Sequence, residues 1–160
     1  MSKQENHNND NLEVDKTIII NASPEVVFKA ITMPEELTNW FPDQATIEPV
    51  VGAKVQFNTL REKHPEYNLD KDYIMEGAVT ESIQNRKLCY TWKYDDTPDF
   101  PETLVTWELD KIDSNNTKLK LIHSGFTGNE KGMVSFESHN QDWTDILDKL
   151  SKYCERNRNK

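Results

Sequence analysis

Lys87-Leu88-Cys89-Tyr90-Thr91-Trp92-Lys93-Tyr94 is the stretch that decides the fold. Leu88, Tyr90, Trp92 and Tyr94 alternate with Lys87, Cys89, Thr91 and Lys93, so a period of two puts the rings on one sheet face and the polar set toward water. The alternation returns twice: Val105, Trp107 and Leu109 against Thr106 and Glu108, then Leu119, Leu121 and His123 against Lys118 and Lys120. After these the period changes. Phe136, Trp143, Ile146, Leu147, Leu150 and Cys154 form one stripe of a long amphipathic helix, which needs an apolar sheet face to cover it.

Working upstream, Val14 to Ile20 is a β-branched run and predicts a strand. Ser23-Pro24-Glu25 supplies an N-cap, a proline at the first helical position and an acid at the positive end of the dipole. A helix through Val26, Val27, Phe28, Ala30 and Ile31 follows. Pro34 disfavours helical geometry at Met33, so a second short helix is expected through Glu35, Glu36 and Leu37, closed by Trp40-Phe41-Pro42. Gln44 to Glu48 and Lys54 to Asn58 predict short strands around Gly52. Thr59 to Asp72 is charged and aperiodic, which predicts a loop. Tyr73 to Ile83 predicts a strand, turning at Asn85-Arg86 into Leu88 to Tyr94. After the Pro-containing stretch Asp95 to Pro101, Thr103 to Ile112 and Thr117 to Ser124 are expected to pair, ahead of a helix over Val134 to Arg156.

The expected fold class is therefore α+β, a helix-grip arrangement. A curved antiparallel sheet of about seven strands surrounds a long C-terminal helix, with two short helices after the first strand. The 160 residues suit one domain, 13–156, with a polar, Asn-rich arm at 1–12 and a frayed tail at 157–160.

Nineteen Lys and Arg against 28 Asp and Glu give a formal net charge of −9. That field repels nucleic-acid backbones and anionic membrane surfaces, and no basic patch with interleaved aromatics offsets it. No apolar run approaches the roughly 20 residues of a membrane span, and the N-terminus lacks the apolar core of a signal peptide. A cytoplasmic protein is expected. Cys89 falls on the polar face of its strand and Cys154 on the buried stripe of the helix, so two unpaired thiols are expected rather than a bridge.

Several segments in order resemble a known family. The strand followed by Ala22-Ser23-Pro24-Glu25-Val26-Val27-Phe28 and Leu37-Thr38-Asn39-Trp40-Phe41-Pro42 is similar to the opening of the SRPBCC (START-like, Bet v 1-like) superfamily. Glu76-Gly77-Ala78-Val79, Leu88-Cys89-Tyr90-Thr91-Trp92, Val105-Thr106-Trp107-Glu108-Leu109 and His123-Ser124-Gly125-Phe126 resemble its branch named for the activator of the heat-shock chaperone ATPase (AHSA-type). The resemblance covers about Val14 to Cys154. It implies the helix-grip fold and offers a chaperone protein as a partner, but no catalytic signature to carry over. The stretch Thr59 to Asp72 is longer and more charged than the resemblance implies.

The aromatic set Tyr90, Trp92, Tyr94, Trp107 and Trp143 suits either ordinary core packing or the wall of a cavity for a flat, greasy guest. On the cavity reading, the lining is expected from Met75, Val79, Tyr90, Trp92, Val105, Trp107, Leu121, His123, Trp143 and Leu147. Burying about 300 Å² of apolar surface at about 25 cal/mol per Å² returns roughly 7 kcal/mol gross, so micromolar binding needs no special chemistry. His123 reads either as a general base or as a neutral structural imidazole bonded to a backbone carbonyl or a Tyr; His139 lies on or just before the last helix, and the sequence does not fix its distance from His123. Trp40 and Phe41 either pack under the sheet edge or gate an opening. No spacing of His, Cys, Asp and Glu matches a metal site, no glycine-rich loop matches a nucleotide site, and no cofactor is expected. Three functions stand open: a non-enzymatic module binding a hydrophobic or amphipathic small molecule, a co-chaperone-like interaction domain, and a cyclase- or hydrolase-type enzyme.

Overall fold

The computed structural model describes residues 12–94 and 101–158. The proposed arm up to Asn11, the end of the tail at Asn159 and Lys160, and most of the Asp95 to Pro101 connection lie outside those residues. The elements run β1 (Leu12–Ile20), α1 (Pro24–Thr32), α2 (Pro34–Leu37), β2 (Gln44–Thr46), β3 (Lys54–Thr59), β4 (Tyr73–Ile83), β5 (Lys87–Tyr94), β6 (Thr103–Asp113), β7 (Asn116–Phe126) and α3 (Glu130–Asn157). The seven strands form one curved, wholly antiparallel sheet in the order β1-β7-β6-β5-β4-β3-β2. Strands β2 to β7 follow one another as a meander. β1 closes the far edge against β7, so α1 and α2 carry the chain from one edge of the sheet to the other.

Local chemistry explains the junctions. Ser23 caps α1 by accepting from the Val26 N–H at 3.3 Å, with Pro24 at the first helical position. Met33 is extended, as the residue before Pro34 must be, and separates α1 from α2. The turn between β4 and β5 puts Asn85 in the left-handed region at φ +64°, where Asn is among the best-tolerated residues after Gly. At Gly77 a Cβ would sit 1.8 Å from the Thr91 carbonyl oxygen, so only glycine lets β4 and β5 approach there.

α3 lies against β1, β7 and α1. Its buried residues are Gly132, His139, Trp143, Leu147, Leu150 and Cys154, while Phe136 and Ile146 at the stripe margins are half-buried. The helix starts one turn earlier than Val134, at Glu130, because Asn129 caps it by accepting from the Gly132 N–H at 2.8 Å. That first turn is polar and carries no apolar period to announce it. Cys89 also departs from expectation. It is on the convex face as predicted, yet it is buried beside Glu81 and Thr106 rather than facing water. Both cysteines are free.

Candidate functional site

The layer between sheet and helix is filled with rings. Trp92 is the hub: its ring lies 5.7 Å from Trp143, 5.3 Å from His123, 6.3 Å from Phe41 and 6.2 Å from Phe57. Trp107 packs edge-on against Trp143 at 5.6 Å. Toward the other end of the layer the rings part. An open cleft of about 710 Å³ lies there, between β3, β4 and β5 on one side and the first five turns of α3 on the other.

Three of the ten expected lining residues reach this cleft: Met75, Trp92 and Trp143. Val79, Tyr90, Val105, Trp107, Leu121, His123 and Leu147 lie in the solid core beyond it, each at most 3% exposed. The remaining sheet-side wall comes from Phe57, Tyr73 and Tyr94, with Trp40 and Phe41 at the end of α2. The helix contributes Ser135, Ser138, His139 and Asp142. Trp40 and Phe41 both pack and line: the Trp40 indole N–H donates to the Ala30 carbonyl at 3.1 Å, and Phe41 stacks on Trp92 at the cleft wall.

Residues 60–72, predicted as a plain loop, form a strap over the cleft built on two single 3₁₀ turns, Arg61–Lys63 and Pro65–Tyr67. Asp43 tethers it. Its carboxylate accepts from the Leu60 N–H at 2.7 Å and from His64 Nε2–H at 2.9 and 3.1 Å. Asp72 accepts from the Arg61 N–H at 2.7 Å, and the His64 ring stacks flat on Tyr67 at 4.8 Å. The strap also lines a second, more open hollow of about 550 Å³, which shares His64 and Leu69 with the cleft.

His123 is sealed beneath the cleft and its proton arrangement can be deduced. An indole N–H only donates, so the Trp143 Nε1–H at 3.0 Å makes His123 Nδ1 an acceptor. The neutral ring then carries its proton on Nε2 and donates to Thr103 Oγ1 at 2.7 Å. The Thr103 hydroxyl in turn donates to the Trp92 carbonyl at 3.2 Å. A second proton on Nδ1 would face the indole N–H head-on. Burial, with His139 adding to it, accordingly holds His123 well below the ordinary imidazole range. His123 is thus a structural group, with Thr103 and Trp143 as partners in place of the expected carbonyl or Tyr, and its only basic nitrogen is already occupied.

His139 lies 5.0 Å from it between rings, a proximity the sequence left open, and donates from Nδ1–H to the Ser135 carbonyl at 2.9 Å. Burial lowers its pKa as well. Asp142, one turn on, is shifted the other way: desolvation raises its carboxyl above the usual value. Among the described residues no group of three or more His, Cys, Asp or Glu is placed to hold a metal ion, and no helix is long and apolar enough to cross a membrane.

Comparison with solved structures returns the same architecture. A protein of unknown function from Staphylococcus aureus matches with a TM-score of 0.76 at 15% identity, over 94% of this chain and 98% of that one. The Aha1 dimer of Colwellia psychrerythraea matches at 0.70 and 21% identity, over 89% and 96%. An HSP90 activator from Plasmodium falciparum matches at 0.63 and 23% identity, over 87% and 93%. At such identities the likeness is one of fold. None of the curated proteins matches. The family model described as activator of Hsp90 ATPase homolog 1-like protein matches residues 21–155, nearly the whole described chain, and to that family this protein belongs.

Proposed function

We propose that the protein is a non-enzymatic binding module that holds a hydrophobic or amphipathic small molecule in the cleft between sheet and α3. The observation that carries this reading is the cleft itself: about 710 Å³, walled by the rings of Trp40, Phe41, Phe57, Tyr73, Trp92, Tyr94 and Trp143. A space of that size and lining falls within the range of small-molecule sites. It lies at the margin of the ring layer rather than in the centre, so the guest rests against the core without displacing it. Against an enzyme stands His123, whose Nδ1 is bonded and whose Nε2 is protonated. The test is a panel of lipids and flat aromatics followed by NMR shift mapping. Shifts gathered on Phe57, Met75, Tyr94, His139 and Trp143 support the reading, and shifts scattered over the convex face refute it.

The family description supports a second reading, stimulation of a heat-shock chaperone ATPase through a surface of the domain. It predicts co-purification with the chaperone, a raised ATPase rate, and indifference to cleft substitutions. An unchanged ATPase rate at saturating protein refutes it.

A further inference from the structure

Asp142 stands where the aromatic and polar walls of the cleft meet. It lines the cleft from the middle of α3 and is open to solvent there, so a guest can reach it. Among the described residues its carboxylate takes part in no hydrogen bond or ion pair. Tyr94 on β5 and His139 on its own helix are near enough to feel its charge. The surrounding walls partly dry the carboxyl and raise its pKa, with His139 opposing the rise and Asp145 adding to it. His139 is itself held toward the neutral form by burial. Lys131 and Lys149, the cations on the helix side of the cleft, lie about three turns before Asp142 and about two turns after it, roughly 16 and 10 Å along the axis. His64, on the strap, is bonded to Asp43. Across from Asp142, Tyr73 and Tyr94 are half-buried and meet almost edge-on, 6.1 Å apart at 73°, so they present two ring faces at an angle. A ring face attracts a cation, and the strap already places one: Lys71 Nζ lies 5.8 Å from the centre of the Tyr73 ring.

Resting on the reading of the cleft as a ligand site, we infer that its guest is a cationic amphiphile, an organic amine or quaternary ammonium whose charged head sits between Asp142 and the rings of Tyr73 and Tyr94 while its apolar body lies on Phe41, Phe57 and Met75. The three head classes are treated differently by one carboxylate. A neutral guest of the same shape displaces water from it and returns nothing for the charge. An anionic guest is repelled. A cation compensates the charge and gains the ring faces as well. Selection of this kind works as much by penalising the wrong head as by attracting the right one.

Phenylbutylamine, phenylbutanol and phenylbutyrate share one skeleton and differ in the charge of the head near neutral pH, so they are the probes. In wild-type protein the amine should bind about tenfold tighter than the alcohol, the size of one charge-assisted contact, and the butyrate more weakly than either. Carboxyl NMR should show the Asp142 titration midpoint falling when the amine binds and not when the alcohol does. In Asp142→Asn the amine-to-alcohol ratio should drop toward parity with alcohol binding kept, since the side chain is exposed and the fold does not depend on it. Asp15→Asn removes the same charge from β1, away from the cleft, and should leave the ratio unchanged. A preference that survives Asp142→Asn, or that Asp15→Asn reduces equally, overturns the inference and assigns the effect to the net charge of −9. An unmoved Asp142 titration overturns it in wild-type protein without recourse to any variant. If amine and alcohol bind equally well, the cation inference fails and the cleft reading stands. If no probe binds, the inference falls, and the panel of lipids and flat aromatics decides the cleft reading by itself.

Discussion

Replacing Trp143 by Phe tests the deduced proton arrangement beneath the cleft. The substitution keeps an aromatic ring against Trp107 and Trp92 but removes the N–H that His123 Nδ1 accepts. An acceptor stranded in a site 0% exposed costs about 1–3 kcal/mol. The smaller ring leaves roughly 40 Å³ unfilled, which at about 24 cal/mol per Å³ adds about 1 kcal/mol. A total near 3 kcal/mol, at about 2–4 °C per kcal/mol for a domain of this size, predicts a melting point lower by roughly 6–12 °C. A second consequence separates this account from loss of packing. With the indole gone, Nδ1 can take a proton without meeting another donor, so His123 titrates closer to the ordinary imidazole range. Thermal unfolding followed by circular dichroism reads the first effect and ¹⁵N-detected imidazole NMR the second. A loss below about 1 kcal/mol, or a His123 titration identical to wild type, refutes the reasoning.

Three further outcomes are expected. Burial lowers the pKa of both His123 and His139, so the unfolded chain takes up their protons first as the pH falls. Stability present above about pH 6.5 is therefore lost below it, by up to about 2.7 kcal/mol per pH unit while both discriminate; Asp142, raised by burial, opposes this only near the carboxylate range. Urea titrations at stepped pH check it, and a flat profile between pH 6.5 and 5 contradicts it. Asp43→Asn removes the charge that binds both the Leu60 N–H and His64, so amide exchange across residues 60–72 should speed up several-fold with the melting point little changed; unaltered exchange would mean that the tether does not hold the strap. Cys154 has its thiol pushed up to about 12 by burial and Cys89 is also raised by burial, so neither should react with a thiol reagent at pH 8 until the protein unfolds. Prompt labelling of either would contradict the packing described.

Patterns set by nearest neighbours in the chain were legible in the sequence. The alternation in β5, β6 and β7, the Ser23-Pro24 helix start and the break at Met33 all depend on residues a few positions apart, and the structure has each of them. The candidate lining was less legible. It was drawn from the centre of the apolar faces, where side chains interlock most tightly and so leave least room. The space opens at the margin, where the helix turns polar at Ser135, Ser138 and Asp142 and where residues 21 apart, Asp43 and His64, fasten the strap. No period announces a pair so distant in sequence. Cys89 shows the same limit: alternation gives its face correctly, but not the cover that Glu81 and Thr106 provide.

The line from Trp143 through His123 to Thr103 has a direction, and that constrains which residues the protein tolerates at position 123. What the site asks for is a short side chain that receives on its helix side and gives on its strand side. Glutamine has both capacities in one amide, whereas leucine has neither and lysine can only give. The tolerated set at this buried position is therefore defined by hydrogen-bond polarity rather than by hydrophobicity or size. Amide-bearing replacements should be the mildest there, although a hydropathy scale would rank them among the worst.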